Sequence, residues 1–187
     1  MEKIPNSAKK VFEGILFDVY QWEQELFDGT TTIFEAVKRL PSTQLIIVKN
    51  NKIILYNEEQ PMKGRYISMP GGMLERYEES MQGAKRELLE ELGMQVEKEE
   101  EFIFYLKEDF GNNKLLWETY YYIVKNPQKI SEPNLDSGEK IEPFEVSFEE
   151  FMQITKKNDF INKNFSNHLK ELEKNNKLDE FKNLLFN

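Results

Sequence analysis

Apolar and polar positions alternate along the first part of the chain and predict a β-rich region. In residues 12–39, aromatic and β-branched residues lie on both sides of Asp28-Gly29, a dipeptide that favours a tight hairpin turn. Both faces of these two strands carry large apolar groups. A hairpin is only marginally stable alone, so this one is expected to pack on the main body of the protein or on a second subunit.

Further short apolar segments predict the strands of a central sheet. Polar turns separate them, as Lys49-Asn50-Asn51-Lys52 does between the first two segments. The predicted strands cover residues 44–48, 53–56, 66–69, 96–106, 115–124 and 144–146.

Helical periodicity appears in the middle and at the end of the sequence. Residues 78–92 contain no proline, and their apolar positions, Met81, Ala84, Leu88 and Leu92, recur every three or four residues. We therefore expect an α-helix there, despite Gly83, which costs about 1 kcal/mol relative to alanine. Three further helices are predicted at residues 149–154, with Ser147 as N-cap and Glu150 completing a capping box, and at 160–174 and 177–186.

Composition narrows the class of protein. The length of 187 residues indicates one domain with a small appendage, and 25 basic against 34 acidic residues give a net charge of -9, which argues against a duplex nucleic-acid surface. The absence of cysteine excludes disulfides and thiolate metal sites. No apolar segment approaches the roughly 18 residues of a membrane span, and none resembles a signal peptide. A cytoplasmic protein without membrane or nucleic-acid partners is expected.

Three closely spaced glutamates are the main candidates for a functional site. Glu87, Glu90 and Glu91 stand at i, i+3 and i+4, so they are expected to crowd one exposed side of a single helical turn. Like charges this close repel, and a hard divalent cation with oxygen ligands is the simplest compensation. Upstream, Pro70-Gly71-Gly72 predicts a tight turn that lets backbone carbonyls approach the same ion. A solvated acidic helix explains any one of these glutamates, but not the whole spaced set.

The spacing from Gly72 to Met94 resembles the signature of the Nudix hydrolases at every defined position. Gly72 is followed after five residues by Glu78, and after seven more by Arg86-Glu87-Leu88. The pairs Glu90-Glu91 and Gly93-Met94 complete the pattern. The resemblance implies an α/β fold, a Nudix-type α/β/α sandwich around a mixed sheet with a small N-terminal antiparallel β subdomain. It also implies hydrolysis of a nucleoside diphosphate linked to another group, with Mg²⁺ or Mn²⁺ as cofactor.

The same resemblance assigns roles to individual residues. It pairs Arg86 with Glu78 as the ion pair that braces the helix. It makes Arg86, Glu78 and the three glutamates the catalytic set. The metal ligands that it implies are the carbonyl of Gly71 and the side chains of Glu87, Glu90 and Glu91.

Outside the signature, the chain looks most like the ADP-ribose pyrophosphatase branch. The features are the hairpin with Asp28-Gly29, the Arg39-Leu40-Pro41 entry into the first central strand, and the segment 138–142. That branch often uses an acidic residue of its last loop as general base, and Glu139 is the candidate here, with Asp136 and Glu142 behind it. Residues 1–40 are assigned to the N-terminal β subdomain, and 41–187 to the Nudix domain with its C-terminal helices.

Two departures from the branch bear on the substrate. Met62 stands where an arginine commonly holds the diphosphate, so Arg65 or Lys63 is the candidate replacement, with a plain surface charge as the alternative for each. A proline expected beyond the signature is replaced by Asp109. For the adenine ring, Trp22 or Tyr20 is a candidate stacking partner, against core packing as the alternative. Because hairpins of this branch often join two subunits, a homodimer is expected.

The leading hypothesis is a metal-dependent pyrophosphatase. It would cleave ADP-ribose or a related nucleotide sugar to a nucleoside monophosphate and a sugar phosphate. One alternative is a nucleoside triphosphate or dinucleotide pyrophosphohydrolase, although the N-terminal sheet speaks against a minimal triphosphatase. Another is a non-catalytic Nudix-fold regulator that binds a nucleotide, although the complete set of glutamates favours catalysis.

Overall fold

A mixed β-sheet forms the centre of the computed structural model, which describes residues 4–112 and 114–187. Within these residues, nine strands form one curled sheet and two short strands pair separately. The strands of the large sheet are β1 (Lys9–Glu13), β2 (Phe17–Glu25), β3 (Thr31–Arg39), β4 (Ser42–Lys49), β5 (Lys52–Gln60), β6 (Gly64–Ser68), β8 (Phe102–Gly111), β9 (Leu115–Lys125) and β11 (Lys140–Val146). The separate pair is β7 (Met94–Gln95) with β10 (Gln128–Lys129).

The strand order explains why the sheet is mixed. Along the sheet the order is β1-β2-β3-β9-β4-β5-β11, while β6 also pairs with β5 and β8 with β9. Strand β9 runs parallel to both β3 and β4, and the remaining pairs of this sheet are antiparallel. The end of β5 therefore lies between β6 and β11, which places side chains from three strands next to one another.

Helices cover both faces of the sheet, because side chains alternate between two apolar cores. Along β4, Leu45 and Ile47 face the helix α1 (Ser80–Leu92), whereas Ile46 and Val48 face the C-terminal helices. Those helices are α2 (Phe148–Ile154), α3 (Lys163–Lys174) and α4 (Leu178–Phe186). The predicted α/β/α sandwich around a mixed sheet is confirmed.

The N-terminal region contains one more strand than the sequence pattern predicted. The predicted hairpin is present as β2 and β3, joined by a turn in which Gly29 has φ +81°. Strand β1 was missed because its residues are all exposed, so burial imposes no alternation on them. The subdomain joins the main sheet where Val37 and Lys38 of β3 pair with Leu115 and Leu116 of β9. Residues 1–3 of the assigned subdomain lie outside the described residues.

Several boundaries in the second half also differ from the prediction, and two of them bear on the site or on the class of element. Strand β11 begins at Lys140 rather than at residue 144, because its polar first half pairs in register with the end of β5. Residues Glu99–Glu101, expected to be the entrance to a strand, form a short 3₁₀ helix. The predicted capping box is present, with Ser147 capping α2 and Glu150 bonding back to it. Within residues 4–112 and 114–187, no helix is long and apolar enough to cross a membrane.

Candidate active site

Two of the three signature glutamates are buried. Glu87 and Glu91 lie on the same side of α1 as Ala84 and Leu88, while Glu90 is partly exposed at the edge of the site. The expectation that all three crowd an exposed side is therefore wrong. Helical spacing fixes which residues share a face, but here the loop 70–74 folds over that face and removes two carboxylates from water.

Glycines allow this loop to lie directly on the glutamates. Gly71 has φ +124°, a conformation that favours glycine, and a Cβ there would collide with the carbonyl oxygen of Thr43. A Cβ on Gly72 would lie 2.5 Å from Oε1 of Glu87. The backbone N–H of Thr43 donates to the Gly72 carbonyl at 2.8 Å, which fixes the loop to β4. Both glycines are thus needed for the close approach of loop and carboxylates.

Arg86 connects the carboxylates of the site. Its Nε and Nη2 donate to the two oxygens of Glu78 at 2.9 and 3.0 Å, which is the ion pair that the signature implied. Its Nη1 donates to Glu87 at 2.9 Å and to Glu90 at 2.8 Å. The remaining contact, from Nη2 to the carbonyl of Met73 at 3.2 Å, ties the helix to the glycine loop. A single guanidinium therefore orients three carboxylates.

Glu91 has two neutral donors and no guanidinium among the described residues. The N–H of Gly71 donates to Oε2 of Glu91 at 2.9 Å, and the Tyr56 hydroxyl donates to the same oxygen at 3.2 Å. Burial raises the pKa of Glu91 well above its usual range, and the adjacent Glu87 carboxylate raises it further. Burial also raises the pKa of Glu87 to about 7, although Arg86 opposes this shift.

A divalent cation fits this group of oxygens. The candidate ligands are carboxylate and carbonyl oxygens, which hard cations prefer. Burial disfavours the charged forms of Glu87 and Glu91, and a cation would offset this cost. Among the described residues, the Gly71 carbonyl accepts no hydrogen bond. In residues 4–112 and 114–187, no three acidic, histidine or cysteine side chains are already arranged around one point. Arg86 and Tyr56 hold the carboxylates instead.

The loop after β10 brings a distant acid to the same place. The N–H groups of Ile130 and Ser131 donate to the carbonyl of Gly93, the left-handed residue that ends α1, and Asn134 N–H donates to the Glu90 carbonyl at 2.7 Å. This anchoring places Glu139 on the wall of a cavity of about 460 Å³ that Glu87, Glu90 and Glu91 also line. Burial raises the pKa of Glu139, and the nearby Glu58 and Asp136 carboxylates add to the shift.

The two alternatives to Glu139 differ in their positions. Asp136 lines the cavity beside Glu139. Glu142 lies three residues further, on β11 opposite Asn57, and lines a separate cavity with Glu59. The structure therefore brings Asp136 to the glutamates of α1 and leaves Glu142 away from them.

The predicted substrate-binding residues are spread over three places. Lys63 is near Glu139, and its ammonium lies 5.6 Å from the centroid of the Tyr66 ring. Arg65 pairs with Glu59, and its side chain is 87% exposed and lines the separate cavity. Arg65 and Tyr66 face opposite sides of the sheet because successive side chains alternate along β6, and the Tyr66 hydroxyl donates to Glu58.

Neither aromatic candidate of the hairpin lines the cavity that contains the glutamates. Tyr20 borders a different cavity, of about 620 Å³, with Phe110 and Trp117. Trp22 packs against Phe34 with ring centroids 6.1 Å apart. Within one chain, the structure therefore does not bring Tyr20 or Trp22 to the glutamates.

The sequence pattern did not predict the residues that attach the hairpin and the strand β5 to the site. Arg76 donates to both oxygens of the buried Asp18, at 3.2 and 3.1 Å, and so ties β2 to the glycine loop. An aspartate between the apolar residues Phe17 and Val19 was the available signal. Tyr56 gave no such signal, because a tyrosine in a buried strand is ordinary until its hydroxyl partner is known.

Comparisons with known proteins agree with this geometry. The profile of the NUDIX domain matches residues 39–169. A methanol dehydrogenase activator of Bacillus methanolicus is 26% identical over 152 residues, which cover 80% of each chain. An ADP-ribose pyrophosphatase of Bacillus subtilis (strain 168) is 26% identical over 158 residues, which cover 82% of this chain and 83% of the relative.

A solved structure supports the fold. The crystal structure of an ADP compounds hydrolase superposes with a TM-score of 0.67 over 92% of this chain and 95% of the other, at 16% sequence identity. At this identity the match concerns the fold alone.

The raised pKa of Glu87 predicts a pH-dependent stability of the metal-free protein. Between the ordinary value of 4.5 and the folded value of about 7, the folded state binds more protons than the unfolded state, so stability falls as pH rises through this window. Glu87→Gln removes the effect. We expect the free energy of unfolding of the variant minus that of wild type to be about 3 kcal/mol larger at pH 8 than at pH 4.5. Urea unfolding with a chelator present measures both free energies.

Glu78→Gln is the matched control with the opposite sign. Arg86 lowers the pKa of Glu78, so this carboxylate stabilises the folded state above its unfolded pKa, and that stability is lost as pH falls through its folded pKa. Relative to wild type, the control variant should therefore be destabilised most at neutral pH. A Glu87→Gln difference that is independent of pH, or that has the sign of the control, would contradict the account.

Proposed function

This chain belongs to the NUDIX domain family and is a Nudix hydrolase, and we propose that it cleaves the pyrophosphate bond of ADP-ribose or a related nucleotide sugar with a divalent cation bound. The products are a nucleoside monophosphate and a sugar phosphate. The observation that carries the proposal is the burial of Glu87 and Glu91 side by side, on a cavity that Glu139 also lines.

The substrate class rests on the relatives together with the cavity. The Bacillus subtilis relative is an ADP-ribose pyrophosphatase by name, and the superposed structure is that of an ADP compounds hydrolase. The cavity of about 460 Å³ has the volume of a small-molecule site. Its walls carry more acids than bases, so a diphosphate needs positive charge from a cation as well as from the protein.

Four residues are proposed to hold the cation. When bound, a divalent cation such as Mg²⁺ or Mn²⁺ neutralises the charge of the diphosphate and lowers the pKa of a coordinated water. Arg86 and Glu78 keep the helical turn in place and orient two of the carboxylates. The proposed ligands are the carbonyl oxygen of Gly71 and the carboxylates of Glu87, Glu90 and Glu91.

Glu139 is proposed as the general base. It would accept a proton from the water that attacks phosphorus, while the bond between phosphorus and the bridging oxygen breaks and the departing phosphate keeps the bonding electrons. A carboxylate with a raised pKa is a stronger base than an ordinary one, and Glu139 has this property at the edge of the cavity. Asp136 is the second candidate. Neither Lys63 nor Arg65 lines this cavity, and Lys63 is the proposed phosphate contact because it lies near Glu139, whereas Arg65 lines the separate cavity.

The hairpin subdomain is proposed as a dimerisation element. Exposed large apolar side chains are concentrated there, which is unusual for a surface that stays in water. In a homodimer the hairpin of one subunit would approach the cavity of the other, which gives Tyr20 and Trp22 a route to the substrate that one chain does not provide. The exposed apolar residues of the hairpin region are Val11, Phe12, Ile15, Leu16, Phe17, Leu26, Phe27, Ile33 and Phe34. Residues 1–40 and 41–187 are then the dimerisation and hydrolase units.

The substrate is tested by phosphate release in a coupled assay with alkaline phosphatase and Mg²⁺. The panel contains ADP-ribose, other nucleotide sugars, dinucleotides and nucleoside triphosphates. We expect preferred turnover of ADP-ribose or a related nucleotide sugar, abolished by a chelator. Glu91→Gln should lower kcat on the order of 100- to 1,000-fold while leaving the fold intact, because it removes negative charge from the cation site.

Glu100→Gln serves as the control, because Glu100 is an exposed residue of the 3₁₀ helix and does not line the cavity. It should retain wild-type turnover. Preferred cleavage of a triphosphate would keep the glutamate site and reject the proposed substrate. Undiminished activity in Glu91→Gln would reject the proposed site itself.

The proposed dimer is tested by light scattering at micromolar concentration. Wild type should give twice the chain mass of 22.3 kDa. Ile33→Glu should give the mass of a single chain, since it buries a charge in the apolar contact. Leu184→Glu, which changes an exposed leucine of α4, should leave the mass unchanged. A monomeric wild-type protein would contradict the assignment of the hairpin.

A further inference from the structure

A polar cluster at the end of β5 is not part of the signature. Along this strand Tyr56, Glu58 and Gln60 alternate onto the face that meets α1, and each makes a side-chain hydrogen bond toward the site. We propose that Gln60, anchored by Glu58, is a positioning residue that holds the carboxylate of Glu139 in one orientation at the edge of the cavity. The inference rests on the proposed function, in which Glu139 accepts the proton.

Glu58 is a fixed anchor. The hydroxyl of Tyr66 donates to its Oε1 at 2.6 Å, and the hydroxyl of Ser68 donates to its Oε2 at 2.6 Å. Both donors are buried on β6, which pairs directly with β5. Because each oxygen has a short bond from a rigid strand, the Glu58 carboxylate has one orientation.

Gln60 links this anchor to the proposed base. Its Nε2 donates to Oε1 of Glu58 at 2.7 Å and lies 3.4 Å from Oε1 of Glu139. Both partners are carboxylate oxygens, so the nitrogen of the amide must face them and the orientation of the side chain is determined. Glu139 itself lies in a loop, where its backbone N–H donates to the carbonyl of Asp136 at 2.9 Å. The Gln60 amide is thus the contact from the sheet that reaches the Glu139 carboxylate.

The carboxylates around Glu139 repel its charged form, and the Gln60 contact opposes this repulsion. The groups that face it come from every neighbouring element and are mostly negative, with one opposing ammonium. An amide that donates between two carboxylates offsets their repulsion and favours the charged form of each. The facing groups are Glu58 of β5, Tyr66 of β6, Lys63 of the intervening turn, Asp136 of its own loop, and Glu87, Glu90 and Glu91 of α1.

Gln60→Leu tests the role, because it keeps the size of the side chain and removes the donor. With the preferred diphosphate substrate we expect kcat to fall roughly 10- to 100-fold. KM should stay within about twofold, since the substrate contacts remain. The acid limb of the kcat profile should move to higher pH, because the Glu139 carboxylate loses a donor to its charged form. Binding of Mn²⁺ alone should be unchanged.

Asn57→Leu is the matched control, since it removes a side-chain amide from the same strand, and strand alternation places Asn57 on the face opposite to Gln60. The control should keep the wild-type kcat and pH profile. A Gln60→Leu protein with wild-type kcat and an unmoved pH profile overturns the inference. A fall in kcat that comes with an equal rise in KM, or with lost Mn²⁺ binding, also overturns it, because such a change indicates general damage.

A measurement without turnover separates this inference from the proposed function. If the wild-type protein cleaves none of the panel, the proposed function fails, and the carboxyl pKa of Glu139 is followed by ¹³C NMR with Glu139→Gln to assign the signal. A higher pKa in Gln60→Leu than in wild type, with Asn57→Leu unchanged, supports the contact. An unchanged pKa overturns it.

Discussion

Repulsion among Glu87, Glu90 and Glu91 is the constraint on which the site depends. These carboxylates lie within one helical turn, and the glycine loop removes two of them from water. Repulsion between charges is stronger in the protein interior than in water. Arg86 offsets part of the negative charge. Burial raises the pKa of Glu87 and of Glu91, and the neighbouring carboxylates add to both shifts. The protein therefore stabilises a group of anions only partly by itself. A divalent cation would offset the charge that remains.

The fold supports this turn from three directions. The Gly71 N–H and the Tyr56 hydroxyl bind Glu91, and Arg76 ties the glycine loop to the hairpin through Asp18. The Asn134 N–H on the Glu90 carbonyl fixes the loop that carries the proposed base. Each support comes from a different segment of the chain. The sheet thus brings residues distant in sequence to the end of one helix, where metal binding and proton transfer can be combined.

Local features of the site could be predicted from the sequence, and contacts between distant segments could not. The helix and its end at Gly93 follow from spacing and backbone preference, and the Arg86 bond to Glu78 was implied by the resemblance to the Nudix signature. Burial of Glu87 depends on a loop folding over it, and the Asp18 bond to Arg76 joins segments 58 residues apart. For the second contact, the sequence pattern offers only the position of Asp18 between two apolar residues of β2, and for the first it contains no signal.

Direct binding of Mn²⁺ tests the central claim most closely, because it needs no substrate and no assumption about the base. Electron paramagnetic resonance of a Mn²⁺ titration measures the free ion in the presence of wild type, Glu91→Gln and Glu100→Gln. We expect saturable binding by wild type and by Glu100→Gln, with affinity at least about 10-fold weaker in Glu91→Gln. Equal affinity in all three proteins, or no binding by wild type, would contradict it.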